Sequence, residues 1–199
     1  MQPISHVIDL YIIPIWALFY IYWVGSAAYD LFSGRSKKVS RQSTGMERMW
    51  NLFLGLALLL VVIEPIRMPY PLNVIILPSS YPILLLGMAI ALSGIFFAIW
   101  ARRHLGGNWS SVVEQKVGQE FIETGPYAIV RHPIYTGIMV GVVGSFIMAG
   151  SLGGLLAIPA ALIFSLARIS AEEKLMVGTF GQKYLDYRKR VKALVPRIW

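Results

Sequence analysis

Apolar residues gather in long runs that are separated by short polar segments. There are five such runs, at residues 8–31, 49–63, 81–101, 133–149 and 152–167. A helix needs about 20 apolar residues to cross a bilayer, and the first and third runs are long enough. The fourth and fifth are shorter, at about 16 residues each, and either cross a thinned bilayer or dip into it and return. The pattern predicts an all-α integral membrane protein with about five transmembrane helices.

The last two runs are joined by a short glycine-rich segment. Its sequence, AGSLGG, begins at Ala149 and allows a tight turn, so a short helical hairpin is expected. Further on, Phe180, Tyr184, Tyr187 and Val191 recur at spacings of four, three and four. This spacing predicts an amphipathic C-terminal helix that lies against the membrane or against the connection before the fourth run.

The composition agrees with a membrane protein and excludes several kinds of site. Of the 199 residues, 56% are hydrophobic and only 14% are charged, whereas a soluble domain carries about 25% charged residues. The mean hydropathy is +0.62. The sequence has no cysteine, which excludes disulfides, thiolate metal sites and a cysteine nucleophile. Its three histidines are widely spaced, which argues against a metal cluster.

Basic residues fall on one side of the predicted membrane. The chain has 18 basic and 10 acidic residues, for a net charge of +8. All the basic residues except Arg67 lie in the connections at 32–48 and 102–132 or after the fifth run. The positive-inside rule then places the N-terminus outside, and these connections and the C-terminal tail in the cytoplasm. The charge thus reflects topology and attraction to membrane lipids, and no nucleic-acid partner is expected.

Ionisable residues concentrate in the second half of the chain. The polar stretches at 101–110, 123–137 and 167–175 all fall on the predicted cytoplasmic side. A charge within the hydrocarbon costs roughly 2.5–3.5 kcal/mol, so such a concentration indicates function. We therefore expect a single membrane domain in which residues 1–101 form a wall of three helices and residues 102–199 hold the site.

The sequence VRHPIYTG, residues 130–137, marks the beginning of the fourth run. Proline suits the first turn of a helix and disfavours helical backbone before it, so a helix is predicted to begin at Pro133 with His132 as its cap. The N–H groups of a helix start attract anions, and Arg131 and His132 would strengthen this seat for a carboxylate or phosphate. Gly137 begins a face of glycines that lets a neighbouring helix or a ligand approach the backbone closely.

A second polar cluster follows the fifth run. Arg168 and Glu172 are four residues apart and therefore share a helix face. Glu173 is adjacent and cannot share that face closely. One glutamate is thus expected to point inward and the other to be solvated, and the partner Arg168 favours Glu172 as the inward one.

Together these motifs resemble the isoprenylcysteine carboxyl methyltransferases and related integral membrane methyltransferases. The resemblance covers about residues 100–199 and consists of an RHPxYxG segment, a glutamate pair, an FGxxYxxYxxxV run and a closing proline. The residues that carry it are Arg131, His132, Pro133, Tyr135, Gly137, Glu172, Glu173, Phe180, Gly181, Tyr184, Tyr187, Val191 and Pro196.

The resemblance implies a methyltransferase that binds S-adenosylmethionine (SAM) at the cytoplasmic ends of the last helices. It also implies a lipophilic acceptor that enters from the bilayer, with the carboxylate of a prenylated cysteine favoured. The catalytic residues it implies are Arg168 and Glu172. The cofactor-binding residues it implies are Tyr127, Arg131, His132, Pro133, Tyr135, Gly137, Glu172 and Glu173.

The charges suggest a division of roles between these residues. A carboxylate acceptor is ionised at pH 7 and needs a cation rather than a general base, and Arg168 is the candidate. Arg131 and His132 would receive the carboxylate of SAM, while a glutamate receives its ammonium group. Exchanged roles for Arg131 and Arg168 fit the sequence equally well.

Other functions fit parts of the same pattern. A phospholipid amine, a thiol or another lipophilic amine could use the same cofactor site. The segment GGNWS at 106–110 and the RHPxY stretch also resemble membrane sterol reductases, which use NADPH. A membrane interaction protein without catalytic activity is the third class.

Overall fold

The computed structural model describes residues 4–34, 39–41, 70–109 and 115–198. The helices in this part of the chain are α1 (Ile4–Phe32), α2 (Tyr81–Leu105), α3 (Pro133–Ala149), α4 (Leu152–Phe180) and α5 (Gln182–Arg190). Two single-turn 3-10 helices lie at Gly106–Asn108 and Gly125–Ala128. The described chain is helical, as predicted, except for a short antiparallel pair of strands, β1 (Val39–Arg41) and β2 (Gln115–Lys116).

Three helices of the described chain are long and apolar enough to cross a membrane, at Leu10–Asp30, Tyr81–Asn108 and Leu152–Phe180. The fourth apolar run forms the shorter helix Pro133–Ala149. The second run, at 49–63, lies outside the described residues.

The last long helix extends past the fifth apolar run, which ends at residue 167. Helix α4 continues through the polar residues 168–175 and ends at Phe180, where Gly181 has a φ of 55°. Arg168, Glu172 and Glu173 all pair with charged or polar side chains from other parts of the fold or from the same helix. The helix thus carries Arg168 and Glu172 on one face, as their spacing predicts.

Helices α2 and α3 cross with their backbones in contact. Gly87 and Gly94 of α2 face Gly144 and Gly137 of α3, respectively. A Cβ atom at Gly94 would lie 2.5 Å from the carbonyl oxygen of Gly137, and one at Gly87 would lie 2.8 Å from that of Gly144. Small residues permit such an approach between membrane helices. Of the two partners predicted for this glycine face, the neighbouring helix is the one observed.

Helix α1 packs on this pair through aromatic side chains. Trp16 is fully buried, and its indole N–H donates to the hydroxyl of Ser145 on α3 at 2.9 Å. The ring lies against Gly141, where a Cβ atom would approach it to 3.3 Å. Ile12, Ile15 and Phe19 of α1 extend the same buried core.

A buried ion pair joins the ends of α1 and α2. Arg102 donates to Asp30 at 2.6 Å and to the carbonyl oxygen of Gly106 at 3.2 Å. Its guanidinium carbon lies 4.1 Å from the centre of the Trp109 ring, which meets Trp23 edge to face. This arrangement fixes the beginning of the connection that leads to the polar cluster.

Two residues connect α3 to α4. Gly150 has the left-handed φ of 64°, and Ser151 caps α4 by accepting a hydrogen bond from the N–H of Gly154 at 3.1 Å. The carbonyl oxygen of Gly150 accepts hydrogen bonds from Ile76 and Leu77, so the segment before α2 supports this turn.

The chain after α4 is divided where the sequence pattern predicts one amphipathic helix. Phe180 ends α4, Gly181 breaks the helix, and Val191 is already extended after α5. Tyr184 and Tyr187 of α5 are buried and contact Phe121, with ring centres 6.2 and 5.4 Å from that of Phe121. Helix α5 therefore lies on the connection between α2 and α3.

Candidate active site

The start of α3 is formed as the sequence predicts. Pro133 is the first helical residue, and His132 precedes it with a φ of −124°. The backbone N–H groups of Arg131 and His132 donate to the carbonyl oxygens of Lys192 and Ala193 at 2.8 and 3.0 Å. The chain after α5 thus runs beside the helix start and fixes its position.

Arg131 links α4 to this C-terminal chain. Its Nε and Nη2 atoms donate to Oε1 of Glu173 at 2.9 and 2.6 Å. Its Nη1 atom donates to the carbonyl oxygens of Val191 at 2.5 Å and Arg188 at 3.3 Å. All three guanidinium nitrogens are engaged, so in this arrangement Arg131 orders the protein's own groups rather than offering a seat for an external anion.

His132 lies between the two consecutive glutamates. Its Nε2 atom is 3.3 Å from Oε1 of Glu173, and its Nδ1 atom is 3.6 Å from Oε2 of Glu172. The side chain is buried. Burial alone would lower the pKa of the imidazole, but the hydrogen bonds and charges of the two carboxylates outweigh it, and the pKa is raised above 6.5.

The expectation that one glutamate is solvated is wrong. The side chain of Glu173 is 12% exposed and that of Glu172 is 29% exposed, so both carboxylates lie inside the cluster. Helix geometry alone separates adjacent side chains. Here His132 and Arg131 come from another element and draw both carboxylates to the same place.

Glu172 is held by two further groups. The hydroxyl of Tyr135 donates to its Oε1 atom at 2.6 Å, and Nε of Arg168 donates to the same atom at 3.2 Å. Arg168 is buried and also lies 3.3 Å from the Tyr135 hydroxyl. The predicted pairing of Arg168 with Glu172 is therefore observed, with Tyr135 as a third member.

Tyr127 lies next to this cluster in the 3-10 helix Gly125–Ala128. Its carbonyl oxygen accepts a hydrogen bond from the hydroxyl of Tyr187, and its ring stacks on His104 at 6.4 Å. The pKa of Tyr127 is raised, first by burial and then by the negative charge of Glu172. Its hydroxyl therefore lies within the electrostatic range of that carboxylate.

The structure gathers most of the residues that the sequence singled out. One cluster contains Arg131, His132, Tyr135, Arg168, Glu172 and Glu173. Tyr127 adjoins it, and Pro133 starts the helix that carries it. The α-carbon of Gly137 lies against α2, so this glycine forms the helix contact, and its expected contact with the cofactor stays a prediction.

Two contributors were not found from the sequence. Arg188 of α5 lies 3.3 Å from Oε2 of Glu173, and the hydroxyl of Tyr187 fixes Tyr127. The position of Tyr187 in the repeating pattern indicated burial but gave no sign of a hydrogen bond. Within the described ranges, no group of three or more His, Asp or Glu side chains could hold a metal ion.

Comparison with known proteins shows which family contains this chain. Residues 82–183 match the sequence profile described as phospholipid methyltransferase. The chain belongs to the phospholipid methyltransferase family. The matched segment contains all of α2 but its first residue, the whole of α3 and α4, and every residue of the cluster. The family assignment confirms the resemblance to this group of membrane enzymes.

Several curated relatives match part of the chain. Protein-S-isoprenylcysteine O-methyltransferase of Schizosaccharomyces pombe is 32% identical over 102 residues, which cover 47% of this chain and 41% of that protein. The nickel-cobalt-cadmium resistance protein NccN of Alcaligenes xylosoxydans xylosoxydans is 33% identical over 116 residues, with coverages of 57% and 48%. Methanethiol S-methyltransferase 2 of Bradyrhizobium diazoefficiens is 37% identical over 82 residues, with coverages of 41% and 31%. The chain spans less than half of the length of each of these relatives.

A solved structure shares the fold. The eukaryotic intramembrane Ras methyltransferase, an isoprenylcysteine carboxyl methyltransferase, matches with a TM-score of 0.69 at 21% identity. The match covers 100% of this chain and 69% of that one. Membership of the family, this fold and the three apolar helices together identify an integral membrane protein.

Proposed function

We propose that this protein is a SAM-dependent membrane methyltransferase that acts on a lipophilic acceptor. The observation that carries the proposal is the convergence of two carboxylates, an imidazole and a buried arginine at the start of α3. The family match and the methyltransferases among the relatives support it. Among acceptors we favour the carboxylate of a prenylated cysteine.

The charges of the cluster fit the amino-acid end of SAM. That end carries an ammonium group beside a carboxylate, so its site needs acceptors and donors close together. Glu172 is the more exposed of the two carboxylates, and we assign it to the ammonium group. The start of α3 would receive the carboxylate, the nearby charge of His132 would favour it, and Arg131 holds Glu173 in place. Tyr127 borders the same space, near Glu172.

When bound, SAM supplies an electrophilic methyl group, to which an acceptor lone pair bonds as the carbon–sulfur bond breaks and leaves its electron pair on sulfur. A carboxylate acceptor is ionised at pH 7, so this chain needs to position it rather than to remove a proton. Arg168 would bind that carboxylate, and Tyr135 and Glu172 fix the direction of its guanidinium group. Orientation alone can lower a barrier by about 7–11 kcal/mol in the best cases.

The proposed topology follows from the basic residues. We propose that the N-terminus lies outside and that the cluster and the C-terminus lie in the cytoplasm, because the basic connections and tail surround the cluster. Residues 1–101 would then form the wall of a single membrane domain, and residues 102–199 would bind the cofactor. The acceptor would reach the cluster from the bilayer.

A thiol is the second candidate acceptor. Methanethiol S-methyltransferase 2, named for a thiol acceptor, is 37% identical to this chain over 82 residues. A thiol is mostly neutral at pH 7 and needs help to lose its proton, whereas a carboxylate does not. The pH dependence of methyl transfer therefore distinguishes the two acceptors.

Calorimetric titration of the detergent-purified protein tests the proposal. We expect SAM and S-adenosylhomocysteine to bind and NADPH not to bind, and we expect His132→Ala and Glu172→Ala to lose this binding. Glu123→Ala is the matched control, because Glu123 pairs with the exposed Arg190 at the surface. Binding of NADPH alone would indicate a reductase, and folded protein that binds none of the three would contradict the proposal. Transfer of a labelled methyl group to a prenylated cysteine, compared with a small thiol, then identifies the acceptor.

A further inference from the structure

The two glutamates of the cluster are consecutive, yet their carboxylates meet the same imidazole. Neighbouring residues on an α-helix project about 100° apart, so Glu172 and Glu173 have no intrinsic reason to converge. The imidazole of His132 faces one carboxylate with each of its nitrogens, at 3.6 Å from Glu172 and 3.3 Å from Glu173. The ring belongs to the start of α3, so it bridges two positions on α4 from outside that helix.

A neutral imidazole carries a single N–H group and can donate to only one of these carboxylates, whereas the protonated ring donates from both nitrogens. We propose that His132 is an imidazolium bridge, a positioning residue that holds Glu172 and Glu173 in the arrangement that receives the cofactor. The bridge itself stands on the geometry of the protein, and only its consequence for the cofactor rests on the proposed function.

Other charged and titratable groups surround the bridge on every side. They are Arg168 on α4, Tyr135 on α3, Arg131 before α3 and Arg188 on α5. Each carboxylate already meets a guanidinium group from this set. Loss of the imidazole proton therefore leaves both glutamates paired but no longer tied to each other. The expected result is a less ordered site in a protein that stays folded.

The protonation of the bridge is measured directly by NMR of the protein labelled at histidine. The chain has three histidines, and His6→Gln and His104→Gln assign the signals. We expect the His132 ring to titrate with a midpoint above 6.5, and Glu172→Gln and Glu173→Gln each to lower that midpoint, because each removes a negative charge beside the ring. Glu123→Gln is the control and leaves it unchanged. A midpoint at or below 6.5, or one that neither glutamate variant moves, would overturn the proposal.

The affinity for S-adenosylhomocysteine, followed across the same pH range, tests the consequence for the cofactor. This ligand has the amino-acid end of SAM without the sulfonium charge. We expect its affinity to be constant below the His132 midpoint and to fall above it. His132→Gln should bind about tenfold more weakly with a flat profile, and Glu123→Gln should follow the wild type. The bridge would be contradicted if the wild-type affinity rises as the pH passes the His132 midpoint. It would also be contradicted if the affinity of His132→Gln changes with pH over the same range. If the wild type binds no adenosyl ligand at any pH, the proposed function fails while the imidazole titration still decides the bridge.

Discussion

The hydroxyl of Tyr187 donates a hydrogen bond to the carbonyl oxygen of Tyr127, with 2.5 Å between the two oxygens. The two residues are 60 positions apart in the chain, and the bond holds α5 on the segment that carries Tyr127. Burial raises the pKa of the Tyr187 hydroxyl above its usual range, so the group remains a donor at physiological pH. The C-terminal helix is thus part of the support of the site.

The first prediction concerns this bond. Tyr187→Phe should lower the free energy of unfolding by about 1 kcal/mol, because one buried hydrogen bond is lost and the Tyr127 carbonyl is left without its donor. Thermal unfolding in detergent measures the effect, and the affinity for S-adenosylhomocysteine should fall with it. Tyr81→Phe is the control, since Tyr81 is 70% exposed. If Tyr187→Phe and Tyr81→Phe have the same unfolding temperature and the same affinity, the bond supports neither the stability of the protein nor ligand binding.

The second prediction concerns the contact of α2 with α3. Gly137→Ala should destabilise the protein by about 1–3 kcal/mol, because the added methyl group would overlap Gly94 and Ala98 of α2. Gly178→Ala on α4 is the matched control, because no atom lies within 4 Å of its added Cβ. Alanine there should be neutral or slightly stabilising in the same unfolding experiment. A Gly137→Ala protein as stable as this control would mean that the two helices are further apart than described.

The third prediction concerns the ion pair at the ends of α1 and α2. Arg102→Gln should cost about 3–5 kcal/mol, because Asp30 loses its partner while remaining largely buried. The double variant Asp30→Asn, Arg102→Gln should recover part of this loss, since no unpaired charge remains. Arg103→Gln, at the adjacent exposed position, should leave the unfolding temperature near that of the wild type. A double variant less stable than Arg102→Gln would contradict the electrostatic explanation.

The fourth prediction compares two arginines that share the Glu173 carboxylate. The side chain of Arg131 is 9% exposed and that of Arg188 is 44% exposed. Arg131→Ala should therefore cost about 3 kcal/mol of stability, because it leaves Glu173 and a backbone carbonyl without their main donor. Arg188→Ala should cost less than about 1 kcal/mol, since solvent screens an exposed pair. Chemical denaturation of the two variants side by side measures the difference, and similar losses would show that Arg188 bears more of the interaction than its exposure indicates.

The fifth prediction is a pH dependence of stability. The pKa of His132 is raised in the folded protein, so its stabilising contribution is fully present below 6.5 and is lost as the pH rises through the folded value. The unfolding temperature should therefore decline as the pH rises above 6.5 and through the folded pKa of His132. In His132→Gln this part of the decline should disappear. If the unfolding temperature declines equally in the wild type and in His132→Gln, groups other than His132 cause the decline.

Local features of the fold could be predicted from the sequence, and long-range pairings could not. The start of α3 depends on Pro133 and the residue before it, so a short segment contains the whole signal. The pairing of Arg131 with Glu173 joins residues 42 positions apart, and nothing near either residue encodes it. The prediction that one of the two glutamates is solvated failed for the same reason. Local helix geometry separates them, and only a group from a distant part of the chain draws them together.

Hydropathy predicted the cores of the helices better than their ends. The charged residues 168–175 looked like the end of a span, but their partners come from α3, α5 and the connections, which a sliding hydropathy pattern cannot represent. The spacing of Tyr184 and Tyr187 correctly indicated a buried helix face, but the breaks at Gly181 and Val191 depend on backbone conformation. The helix at 49–63 and the orientation in the membrane stay predictions.

The glycine contact between α2 and α3 also restricts how a lipophilic molecule could reach the cluster. At Gly87 with Gly144, and at Gly94 with Gly137, the two main chains lie so close that an added Cβ atom would overlap the opposite carbonyl oxygen. An acyl or prenyl chain cannot pass between two helices where there is no room for a methyl group. Lateral passage between the two helices is therefore closed at these contacts, and under the proposed function the acceptor would travel along a different side of the bundle.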